Sequence, residues 1–209
     1  IIQQGRPEEA AINFSNARQS LPEQAVQLWQ LEINLMLEIK NTERALELAN
    51  IAIGENPVEL DLRYTRAMIR DQQGLIDEME GDLRYIINLE PDNAVALNAL
   101  GYTLADKTDR IDEAYDLISK AIKLDPDNPA ILDSMGWVLY RQGELTEALF
   151  YLQKAYARFP DPEVAAHLGE VLWMMDRKTD ALKIWKEAHE KEPDHRILTQ
   201  TLERLRINI

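Results

Sequence analysis

Prolines stand at Pro22, Pro57, Pro91, Pro126, Pro160 and Pro193, spaced by 35, 34, 35, 34 and 33 residues. A period this regular and this long signals a solenoid of repeated units rather than one central core. The stretch 128–160, NPAILDSMGWVLYRQGELTEALFYLQKAYARFP, shows what one unit contains. Its apolar residues recur at helical spacing on either side of the turn Gln142-Gly143-Glu144, so it predicts two amphipathic helices. Small residues (Gly136 on the first helix, Ala148 and Ala155 on the second) stand where two helices approach closely. Leu132, Leu139 and Leu152 flank them, and Pro160 closes the unit.

The same marks divide the whole chain. Residues 1–25 hold half a repeat, a second helix from Pro7 to Gln19 marked by Ala10, Phe14 and Ala17. Full repeats are expected at 26–59, 60–93, 94–128, 129–161 and 162–195, followed by a capping helix within 196–209. That last helix carries Leu198, Leu202 and Leu205 on one face, as the end of a solenoid requires. Thr42 is the expected N-cap of the second helix of the first full repeat. The repeat at 60–93 is the least regular: Met79 and Ile86 replace alanines, and Gly81 falls inside its second helix. A helical Gly costs about 1 kcal/mol against Ala, so a bend or soft point is expected there. The chain does not begin with Met and its first repeat is incomplete, so it is expected to be part of a longer protein.

The formal net charge is -14. That argues against a nucleic-acid backbone as partner, which needs a basic surface, so no nucleic acid is expected. Apolar runs are too short to span a membrane, so no direct membrane insertion is expected. With no cysteine, disulfides and thiolate chemistry are excluded. No nucleophile elbow, phosphate-binding loop or dinucleotide fingerprint occurs. His189 and His195 flank Glu190 and Glu192 but are separated by Pro193 and fall on different helix faces. The chain therefore reads as a non-enzyme with no cofactor and no metal.

The small and large residues at repeat positions 4, 7, 8, 11, 20, 24, 27 and 32 resemble the tetratricopeptide repeat along essentially the whole chain. The resemblance implies an all-α, right-handed superhelical solenoid of antiparallel helix pairs. In that family the first helices line a concave face, and ligands meet positions 2, 5, 9, 12 and 13. Mapped here, the stripe gives Asn34, Tyr64, Asn98, Tyr102, Asp133, Trp137, Tyr140, Arg141, Glu170 and Trp173 as candidate protein-binding residues. Trp137 and Tyr140 admit two readings, as packing between first helices or as binding anchors. Trp29 and Trp185, at positions 4 and 24, read as core. Positions 2, 5, 6 and 9 contain no Lys or Arg, which argues against the carboxylate clamp of chaperone-binding relatives.

The run 93–173 is similar to the C-terminal repeats of proteobacterial outer-membrane lipoproteins with tetratricopeptide repeats. These include adaptors of a periplasmic carboxyl-terminal processing protease. That resemblance implies a scaffold binding the protease, its substrates or both, held in the periplasm by a lipid anchor upstream. A cytoplasmic location stays open, as does the oligomeric state. Two alternatives also stay open: an assembly scaffold for an outer-membrane secretion or pilus complex, and the recognition arm of a larger enzyme.

Overall fold

The computed structural model describes residues 7–209. Among the described residues there are twelve α-helices, one 3-10 turn (Pro22–Gln24) and no strand. The chain divides into two compact units, one up to Pro91 and the other from Asp92. The first unit holds α1 (Pro7–Ser20), α2 (Ala25–Glu38), α3 (Thr42–Glu55), α4 (Leu60–Gln72) and α5 (Ile76–Leu89). Each of these packs on the next. The second unit holds α6 (Ala94–Lys107), α7 (Ile111–Leu124), α8 (Pro129–Gln142), α9 (Leu145–Arg158), α10 (Pro162–Met174), α11 (Lys178–Lys191) and α12 (Arg196–Leu205). Here α6 and α10 also pack on α8, and α12 packs on α10, so the first helices of successive repeats lie side by side.

Local chemistry sets the helix starts. Asn93, Asn128 and Asp161 each accept a hydrogen bond from a backbone N–H of the first turn, and Pro129 and Pro162 follow two of them. These caps satisfy donors that a helix start leaves unpaired. For α3 the cap is Asn41, whose side chain accepts from the Arg44 N–H at 3.2 Å, and Thr42 is already the first helical residue. The expected cap was one residue late because both types favour the position.

The turns inside the repeats share a register. Repeat position 15 is Lys40, Gly74, Gly143 and Asp176 in four of the five full repeats, all left-handed with φ between 59° and 89°. In the remaining repeat this position is Thr108, extended at φ -138°. Its hydroxyl donates to the Leu104 carbonyl and accepts from the Arg110 N–H. The extra residue of that repeat is thus absorbed by a threonine turn instead of a left-handed one.

Close approach of paired helices forms the core. A Cβ on Gly101, Gly136 or Gly169 would lie under 3.0 Å from Ile118, Leu152 and Trp185, respectively. These glycines at position 8 admit a large residue at position 24 of the partner helix. In the repeat at 26–59 the sizes are exchanged: Ile33 takes position 8 and shares a cluster with Ala45, Ala49 and Ala52. The repeat at 60–93 places Ala67 opposite a helix that buries Met79, Leu83 and Ile86. Trp29 and Trp185 are buried, as their register indicates. Helix α5 runs unbroken through Gly81, which is exposed with open space where a Cβ would stand.

Position therefore decides what a helical glycine does. Gly101→Ala is expected to destabilise the protein by about 1–3 kcal/mol through overpacking. Gly81→Ala is expected to stabilise it by up to about 1 kcal/mol. Urea unfolding of the two variants beside the wild type checks both signs.

Candidate functional site

Of the ten stripe residues, Asn34 on α2 and Tyr64 on α4 belong to the first unit. Asn34 is exposed and Tyr64 half-buried, and burial raises the Tyr64 hydroxyl above its usual pKa. The other eight lie on α6, α8 and α10 of the second unit.

Polar bonds tie these first helices together. From α6, the Tyr102 hydroxyl donates to Glu163 Oε1 on α10 at 2.7 Å. From α10, His167 Nδ1 donates to Asp133 on α8 at 2.9 Å, because a carboxylate can only accept. The Tyr140 hydroxyl of α8 donates to Glu170 Oε1 of α10 at 2.8 Å. Glu170, fully buried, also receives both terminal nitrogens of Arg204 on α12, at 2.8 and 2.5 Å. Such two-point guanidinium–carboxylate pairing fixes orientation as well as energy. One face of α6, α8, α10 and α12 is thus a continuous hydrogen-bonded set.

The aromatic residues divide by exposure. Trp137 is only 7% exposed and stacks on His167 with ring centres 4.2 Å apart. It lies 5.1 Å from the Tyr140 ring, and its indole N–H has no acceptor. Packing between first helices is what this geometry gives Trp137. Tyr102, Tyr140 and Trp173 remain half-buried. Trp173 sits 5.8 Å from Trp185, has Lys178 Nζ 5.4 Å from its ring, and is followed by the exposed Met174. Asn98 is half-buried with an unpaired side-chain oxygen. Arg141 reaches across to the C-terminal end of α6 and donates to the carbonyls of Ala105, Asp106 and Thr108. Its charge therefore complements the negative end of that helix.

Carboxylates dominate the electrostatics of this face. Burial raises the Tyr102 hydroxyl well above its usual range, and Glu163, Asp106 and Asp133 add to the effect. Glu163 is itself raised, by burial first, against the lowering influence of the Tyr102 bond and His167. For His167 burial alone pushes the pKa down, but Asp133, by charge and hydrogen bond, with Glu163 and Asp106, outweighs it and the net shift is upward. In the sequence His167 stands out only as one of three histidines. The available signal was its register: Asp133 and His167 occupy neighbouring positions 5 and 6 of consecutive repeats.

With this geometry in place, the known proteins that the chain resembles can be set beside it. Residues 94–128 and 134–195 match family profiles described as tetratricopeptide repeat. The chain is a tetratricopeptide-repeat protein. A TPR repeat-containing protein of Pseudomonas aeruginosa, PA4667, is 49% identical over 168 residues. The match covers 80% of this chain and spans 28% of the relative's length. Among solved structures, TTC0263, a thermophilic TPR protein of Thermus thermophilus, superposes with a TM-score of 0.75 at 21% identity. That similarity covers 88% of this chain and 100% of the other. PilW, described as a type IV pilus biogenesis factor, gives a TM-score of 0.71 at 19% identity over 80% of this chain and 77% of its own. At these identities the two structures establish the all-α fold of paired helices. A TPR array is a scaffold for protein–protein interaction. Among the described residues no helix is long and apolar enough to cross a membrane.

The raised His167 pKa has a definite consequence for stability. A protonated His167 is favoured in the folded state, so its contribution is fully present below the unfolded value of about 6.5 and is lost as pH rises through the folded midpoint. Titration of the His167 ring by NMR is expected to give a midpoint above that of free histidine. In Asp133→Asn the midpoint is expected to fall, because the leading charge opposed to burial is removed and only Glu163 and Asp106 still act upward.

Proposed function

We propose that this chain is part of an adaptor that holds a periplasmic carboxyl-terminal processing protease, its substrates or both. The face of α6, α8, α10 and α12 is the docking surface in this reading. One observation carries it: half-buried Tyr102, Tyr140 and Trp173 stand in a row of first helices locked by Tyr–Glu, His–Asp and Arg–Glu bonds. Large aromatic side chains supply binding energy best when their position is fixed before the partner arrives. Trp137 serves that fixing role from below, and Arg141 does so at the end of α6. The similarity of the run 93–173 to outer-membrane lipoproteins of this repeat family supports the choice of partner. On the same similarity the adaptor works in the periplasm, tethered to the outer membrane by a lipid anchor outside these residues. Tethering makes the encounter of enzyme and substrate nearly intramolecular and raises the effective concentration without new chemistry.

A pull-down from a proteobacterial envelope extract tests this, with the wild-type chain beside a Tyr102→Ala, Tyr140→Ala double variant whose helicity is checked by circular dichroism. The wild type is expected to recover a processing protease or its substrates, and the folded double variant to recover about tenfold less or worse. Equal recovery by both baits removes the surface from the proposal. Secretion or pilus subunits in place of any protease overturn the adaptor reading and favour an assembly scaffold.

A further inference from the structure

Repeat positions 4, 7 and 11 of the first helix are core positions elsewhere in the chain: Leu97, Leu100 and Leu104 fill them on α6, and all three are buried. On α4 the same positions hold Arg63, Arg66 and Arg70. Spacings of three and four residues put all three on one helix face. Their side chains are only 15–18% exposed, so the stems fill the space that leucines take elsewhere.

The guanidinium groups converge on one buried carboxylate, Asp82 of α5, whose side chain is 4% exposed. Arg66 holds both of its oxygens, through Nε at 2.8 Å and Nη2 at 2.5 Å, and Arg70 Nη1 adds a contact at 2.5 Å. Arg66 Nη1 also donates to Asn50 Oδ1 on α3 at 2.8 Å, and Arg70 Nη1 to the Glu78 carbonyl at 3.1 Å. Both oxygens of Asp82 are thereby engaged. Arg63 stays outside this arrangement. Its Nη1 is 3.9 Å from Asp82, beyond hydrogen-bond reach, and its Nη2 makes one long contact, 3.4 Å, to the Pro57 carbonyl. Its Nε is buried with no acceptor. The guanidinium lies over the Tyr85 ring, 3.8 Å from the centroid.

Arginine does not discharge in a protein. Three cations therefore share one anion in a half-buried cluster, within a chain whose net charge is -14. Tyr85 covers one face of the Arg63 guanidinium, whose terminal nitrogens have only the long Pro57 contact within hydrogen-bond reach, and a guanidinium fork suits two-point pairing with an oxyanion. We propose that Arg63, backed by Arg66 and Arg70, is a binding site on the first unit for an oxyanion, a carboxylate or a phosphate group. It lies off the stripe at positions 2, 5, 9, 12 and 13, so it is independent of the docking surface on the second unit.

Isothermal titration of the whole chain tests the site. One arm uses inorganic phosphate and the other a short acetylated polyglutamate peptide, with chloride keeping ionic strength constant. Saturable binding below about 20 mM is expected from the wild type in at least one arm. Arg63→Gln is expected to weaken it about tenfold or more, and Arg63→Lys to weaken it less, since charge is kept and the fork is lost. Arg44→Gln, at an exposed pair, is expected to leave it unchanged. Phosphate binding without peptide binding assigns the site to free anions. Tighter peptide binding assigns it to an acidic segment of a partner. No saturable heat in either arm, or equal affinity in Arg63→Gln, overturns the proposal, and the wild-type arms decide it even where a variant fails to fold.

Discussion

The contact on which each repeat depends is the close crossing of its two helices. Where position 8 is glycine, the backbone of the first helix touches a large side chain of the second: Ile118, Leu152 or Trp185. Where position 8 is Ile33, the second helix presents alanines instead. The sum of sizes is kept while its division between the helices changes. Protein interiors tolerate such exchange because packing density, not identity, is what they conserve. With the pair closed, the first helices of the second unit can lie side by side, and everything polar on their shared face follows from that.

The buried charges serve this arrangement. Asp133–His167, Glu170–Arg204 with Tyr140, and Asp82 with Arg66 and Arg70 each join different helices. Glu32 and Arg18 do the same between α2 and α1 at 2.6 Å, with the Arg18 guanidinium over Trp29. Buried pairs gain little net stability over apolar replacements, yet losing one member costs about 3–5 kcal/mol. Misaligned helices would leave these carboxylates unpaired, so the pairs specify which face meets which. The proposed docking surface is tied together in the same way: Tyr102 and Tyr140 are held through their hydroxyls by carboxylates of α10.

The helix pairs were legible in the sequence because they rest on local signals, namely proline spacing, glycine and alanine placement, and apolar periodicity. So were Trp29 and Trp185 as core, since position within the repeat fixes direction. Pairing across repeats was harder to read. Tyr140 meets Glu170 at a separation of 30 residues, His167 meets Asp133 at 34, and Tyr102 meets Glu163 at 61. The first two pairs join consecutive repeats and the third skips one, so none of them is visible within a single repeat. Arg141 was singled out as a binding residue from position alone, and its engagement with α6 carbonyls depends on where that helix ends. The arginines of α4 lie outside the concave positions and stand at positions 4, 7 and 11, which the repeat pattern gives to apolar core residues. There, three charges replace an apolar row, and only a carboxylate on the partner helix makes that tolerable.

A double-mutant cycle on Gly136 and Leu152 tests the close crossing most directly. Each single change, Gly136→Ala or Leu152→Ala, is expected to destabilise the protein, the first by overpacking and the second by leaving a cavity. Combined, the new methyl group occupies part of the space that Leu152 vacates. The double variant is expected to be more stable than the sum of the singles implies, with a coupling of about 1–2 kcal/mol. Strict additivity in urea unfolding would contradict the account, because it would mean that this glycine and this leucine do not share the space between the helices.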